Sequence, residues 1–116
     1  SAALTRARLA ALATTVLIAV QAVLGILLAV KVKSVEPIHE GVAYATFLVS
    51  IVAAVLVFLW TRESGRKPVL YHAISIPVLL AVQIGLGSMK IESVHMALGV
   101  LMVVAVGALW NLLRKA

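Results

Sequence analysis

Val20-Gln21-Ala22-Val23-Leu24-Gly25, followed after a gap by Glu36-Pro37-Ile38-His39, returns later as Val82-Gln83-Ile84-Gly85-Leu86-Gly87 followed by Glu92-Ser93-Val94-His95. Both stretches read Val-Gln-x-x-Leu-Gly and then Glu-x-x-His. Internal repetition constrains architecture first, because each copy must form the same local unit. Around these polar positions the chain is almost wholly apolar, with 64% hydrophobic and 12% charged residues in 116. A soluble domain carries about 25% charge. A membrane-spanning helix needs about 20 mainly apolar residues, and four such runs can be read, near 9–30, 37–60, 68–89 and 93–113.

The connections at 31–36, 61–67 and 90–92 are short, and short connections force antiparallel neighbours. The expected fold is therefore all-α and integral to the membrane: one four-helix transmembrane bundle over residues 1–116, running up-down-up-down. Its halves, about 9–60 and 68–113, are expected to be parallel two-helix repeats about an axis along the membrane normal. The first run is too long for a secretory signal and lacks its small-residue cleavage site, so it is expected to be a structural helix.

Charge sets the orientation. Arg6, Arg8, Arg62, Arg66, Lys67, Arg114 and Lys115 fall at the two termini and the middle connection, opposed only by Glu63. Lys31, Lys33 and Lys90 in the other two connections are balanced by Glu36, Glu40 and Glu92, so the whole formal charge of +6 lies on one side. Short basic connections stay cytoplasmic, which puts both termini inside the plasma membrane of a prokaryotic cell. The basic balance reports topology and affinity for anionic lipid, and no nucleic-acid partner is expected. Trp60 and Trp110 fall at cytoplasmic helix ends, as interfacial anchors do. Cysteine is absent, which excludes disulfides and thiolate-held clusters.

In that topology His39 and His95 reach the same depth on diagonal helices. Two imidazoles facing each other in an oily bundle suit the two axial positions of one haem iron. Ala43 and Gly99, four residues on, share the histidines' helix face and leave room for a flat ring, as do Gly41 and Ala97 two residues on. Gly25, Gly85 and Gly87 offer close backbone approach on the other two helices. Gln21 and Gln83 either bond across the bundle or line the ring and bond one of its polar substituents. Lys31, Lys33 and Lys90 lie where propionates would emerge, or snorkel to the surface. Glu36 and Glu92 either cap helix N-termini or move protons at the pocket rim. Glu40 is read as solvent-side. His72 beside Tyr71 lies about 30 Å from this site and cannot join it. Pro77 is expected to kink the third helix.

These residues resemble the haem A synthase family, membrane enzymes that oxidise a methyl group of haem O to the formyl group of haem A. The resemblance implies two pseudo-equivalent four-helix halves, each with a haem site. In each half the second and fourth helices bring a histidine to the outer side, and Gln-x-x-Leu-Gly closes the preceding helix. Gln21, Leu24, Gly25, Glu36 and His39 fit that pattern, as do Gln83, Leu86, Gly87 and His95. The likeness covers essentially the whole chain, which is similar to one half of such an enzyme and to compact archaeal members. It implies a homodimer as the full-size equivalent and makes Glu36 the candidate catalytic carboxylate. Glu40 stands where the family's catalytic half has Arg after His, and the cysteine pair of some members is missing.

The expected function is that of a bis-histidine b-type cytochrome, for electron transfer or for oxidation of haem O. Haem B is the expected group, with haem O and haem A as alternatives. The lipid bilayer and a respiratory oxidase complex are further expected partners. The competing reading is a cofactor-free structural or assembly subunit of such a complex. A transporter is disfavoured, because transporters place ionisable residues near mid-membrane and no span has one there.

Overall fold

The computed structural model describes residues 1–116. It is all-helical: α1 spans Ala2–Ala29, α2 Glu36–Ser64, α3 Lys67–Ser88 and α4 Glu92–Arg114, with a single 3-10 turn at Lys33–Val35 before α2. All four helices are long and apolar enough to cross a membrane. Helix is what such a chain must form, because hydrocarbon offers no partner to an unbonded backbone N–H or C=O. Local signals set the boundaries. Leu4 N–H donates to Ser1 Oγ at 3.2 Å to cap α1, and prolines occupy the first turns of α2 and α3, where the missing N–H costs no helical bond. The first helix starts ahead of its apolar run and so carries Arg6 and Arg8 within it.

The helices close into a four-membered ring. α1 packs on α2 and α4, α3 packs on α2 and α4, and the diagonal pairs stay apart. Arg8 Nε donates to Leu113 O at 2.8 Å, tying the start of α1 to the end of α4. At the other end, side chains late in α1 and α3 bond the opening turns of α2 and α4. Neighbours therefore run antiparallel. The Cα envelope is 47 × 19 × 19 Å, and its long axis matches a bilayer of about 40–45 Å including headgroups.

Packing divides the bundle into unequal halves. The contiguous core of Ala7, Ala11, Ile18, Val57, Trp60, Val69, Ala73, Ile76, Leu80, Met102, Val106, Leu109 and Leu113 fills the half where the termini lie. In the other half Leu24 is the one buried hydrophobic residue outside that cluster's reach. The outer surface is apolar, with Leu9, Val16, Leu48 and Val104 all exposed. An apolar face that large is foreign to soluble monomers and suits contact with lipid. Thr14, Thr46, Ser50 and Thr61 are buried, and each hydroxyl donates to a carbonyl one turn back at 2.6–2.8 Å. Small hydroxyl residues thus let helices approach without leaving a polar group unpaired.

One expectation changes here. Trp60 is only 5% exposed and belongs to the core, so it is no lipid-facing anchor; Arg66 lies over its ring at 5.7 Å. Pro77 stands inside α3, where it removes a backbone donor to the preceding turn.

Burial predicts stability. Met102 is fully buried, so Met102→Ala is expected to cost about 2–5 kcal/mol, whereas Val104→Ala on the exposed outer face is expected to cost less than about 0.5 kcal/mol. Thermal unfolding in detergent, followed by circular dichroism, measures both.

Candidate cofactor site

The poorly packed half of the bundle encloses a cavity of about 1060 Å³, at the upper end of the roughly 300–1,000 Å³ typical of cofactor sites. Most of the residues singled out from the repeat line it: Gln21, Gly25, Lys31, Glu36, His39 and Ala43 from the first copy, and Gln83, Gly87, Lys90, His95 and Gly99 from the second. His72 lies outside it. Its Nε2–H donates to Ala105 O at 2.7 Å, a bond from α3 to α4 that gives this histidine a structural task.

The two glutamines are the clasps of the open half. Gln21 Nε2 donates to His39 O at 2.8 Å, and Gln83 Nε2 donates to His95 O at 2.7 Å. Each bond joins a helix end to the opening turn of the next helix, at the very residue that projects an imidazole. The partner side chain comes with a penalty. Oε1 of both glutamines is buried without a hydrogen bond, and a buried acceptor left unpaired costs about 1–3 kcal/mol.

His39 and His95 meet across the ring of helices. Their ring centres are 6.4 Å apart and their planes are inclined by 72°. That spacing is compatible with one metal held between the two rings: with metal–nitrogen bonds of about 2.0–2.1 Å and a ring centre roughly 1.1 Å behind its nitrogen, imidazoles on either side of a metal have centres about 6.3 Å apart. No cluster of three or more His, Asp or Glu groups suited to an ion occurs, so a metal here needs equatorial ligands from elsewhere, as a porphyrin supplies. The donor set, the cavity size and the ring spacing all fit a haem.

Glycine makes the approach possible on one side above all. A Cβ on Gly87 would stand 3.0 Å from His95 Cε1, and one on Gly99 would stand 3.1 Å from Gln83 Nε2. A Cβ on Gly25 would meet His39 Nε2 at an ordinary 3.7 Å. Gly85 does not share the role expected of it: nothing lies within 4 Å of its Cβ position, and it does not line the cavity. Gly41 and Ala97 are likewise exposed and outside the lining. Glu40, read as solvent-side, is exposed yet lines the cavity mouth. Glu36 and Glu92 open α2 and α4, but neither helix has a side-chain cap. Their favourable part is played with the helix dipole.

The turns that close α1 and α3 are alike and unusual. Val32 N–H donates to Leu27 O and Lys31 N–H to Leu28 O; Ile91 N–H donates to Leu86 O and Lys90 N–H to Gly87 O. These are Schellman caps, in which the residue in the left-handed conformation is normally glycine. Gly65 fills that place after α2 at φ 71°, but Lys31 and Lys90 do so here at φ 73° and 57°. A side chain in that conformation costs about 1 kcal/mol, and both lysines border the cavity. No feature of the amino-acid sequence outside the repeat marks these two positions.

Two measurements follow from the geometry. Gly87→Ala is expected to displace His95 and weaken haemin binding about tenfold or more, and Gly25→Ala is expected to weaken it less; haemin titration in detergent ranks them. Lys31→Gly with Lys90→Gly is expected to raise the stability of the haem-free protein by about 1 kcal/mol per site while lowering haemin affinity, read by thermal unfolding and the same titration. In comparisons with known proteins, the chain matches no family model, no curated protein and no solved structure.

Proposed function

We propose that this chain is a bis-histidine haem protein of the membrane, a b-type cytochrome resembling one half of haem A synthase. The observation that carries the proposal is the 6.4 Å separation of the His39 and His95 rings on diagonal helices. The cavity around them supports it. Bound haem would supply one-electron redox chemistry. The chain's own residues do the rest. His39 and His95 would hold the iron, and Gly25, Ala43, Gly87 and Gly99 would keep space clear for the ring. Gln21 and Gln83 hold the two histidine-bearing turns against the preceding helices. Lys31, Lys33 and Lys90 would pair with propionates at the mouth. With two imidazole ligands the group, haem B on this reading, would suit electron transfer. The natural setting is a prokaryotic cell membrane, with the basic end of the bundle in the cytoplasm and a second copy or an oxidase complex as neighbour.

A second reading, oxidation of haem O, rests on the resemblance of the repeat to haem A synthase and on one carboxylate at the cavity rim. Glu36 at the rim would then be the carboxylate that moves protons. Co-expression with a haem O source and extraction of the pigment tests it: haem A in the extract supports this reading, and haem O alone removes it.

For the main reading, the purified protein is loaded with haemin in detergent and its reduced-minus-oxidised spectrum recorded. A low-spin spectrum with a sharp Soret band is expected. His39→Ala and His95→Ala should each abolish the low-spin signal, and His72→Ala should preserve it. A colourless wild type would leave the cofactor-free subunit as the better account.

A further inference from the structure

The two histidines occupy matched places in the repeat, but their surroundings differ. His95 is held at three points. Its Nδ1–H donates to Gln83 O at 3.0 Å, its own carbonyl accepts from Gln83 Nε2 at 2.7 Å, and its ring lies against the backbone at Gly87, 3.0 Å from where a Cβ would stand. Because a carbonyl oxygen only accepts, that first bond fixes the proton on Nδ1 and leaves the lone pair on Nε2. Backbone carbonyls play this part behind most metal-ligating histidines, fixing both tautomer and ring direction.

His39 shares only the bond to its carbonyl, which accepts from Gln21 at 2.8 Å; neither ring nitrogen has a hydrogen-bond partner, and Nε2 lies an ordinary 3.7 Å from where a Cβ on Gly25 would stand. The connections differ as well: the segment before α2 contains an additional 3-10 turn at Lys33–Val35, whereas α4 begins directly after the Lys90 turn.

We infer that the ligands are unequal: His95 is the permanent axial ligand and His39 the displaceable one, so the His39 side is where a small diatomic ligand reaches the iron. This rests on the haem reading above. In the exchange, His39 leaves with its nitrogen lone pair and the diatomic ligand donates its own in place. One coordination bond breaks and one forms, and no proton or electron moves. A cytochrome built this way binds carbon monoxide when reduced, which one with two equally fixed imidazoles resists.

The test uses the haemin-loaded chain of residues 1–116 in detergent, reduced with dithionite, with carbon monoxide as probe. Wild type is expected to give a carbon monoxide difference spectrum. His39→Ala is expected to keep haem within about tenfold of wild-type affinity, as a high-spin species that binds carbon monoxide faster and returns to low spin with added imidazole. His95→Ala is expected to lose haem affinity by about 100-fold or more, with circular dichroism confirming that its helices persist. A second readout needs no haem: nitrogen NMR of the empty protein should find His95 locked as the Nδ1–H tautomer and His39 averaged between both. Equal haem loss in the two variants, a reversed order, or a locked His39 tautomer would overturn the inequality while leaving the haem reading intact. Failure of wild type to bind haemin at all would overturn both.

Discussion

Two amide hydrogen bonds hold the open half of this bundle together. In lipid there is no hydrophobic drive to press one helix on another, because hydrocarbon tails are as apolar as the side chains. The half with the termini solves this by close packing around Val57, Ile76, Met102, Val106 and Leu109. The other half has no such core. Its helices are joined where Gln21 and Gln83 donate to the carbonyls of His39 and His95, and everything that lines the cavity depends on those joints. Without them the imidazoles would have no defined separation.

The same half carries several local penalties. Lysines sit in left-handed backbone conformation where glycine would be relaxed, two amide oxygens are buried without donors, and the space between helices is not filled by side chains. Strain and unpaired polar groups persist where surrounding structure over-determines them, and they cluster at ligand sites. On the proposed reading, a flat cofactor completes the core that the chain leaves unfinished. The packed half then acts as the rigid base from which the ligand-bearing turns project.

Much of this was legible in the residues. Long apolar runs broken by short charged connections can only be helices in lipid, and the matched Gln and His of each copy had to meet once the helices alternated. The readings that failed did so for geometrical reasons. Gly41 and Ala97 were grouped with the histidines two residues away, but two residues are about 200° around a helix, and both face outward. Ala43 and Gly99, four residues on, do line the cavity. Gly85 failed on the same ground, two residues from Gly87. Trp60 has the composition of an interfacial anchor, and only its inward rotation on α2 makes it core.

The order of residues alone determined that there would be four apolar helices, that two histidines would share one end, and that glutamine and glycine would accompany each. Those follow from hydropathy and periodicity, which are local. Only the tertiary structure decided the 6.4 Å between the rings and the difference between an anchored His95 and an unanchored His39. Both depend on how each connecting turn rotates one helix against the next, and a rotation of that kind is set by packing among residues far apart in the chain.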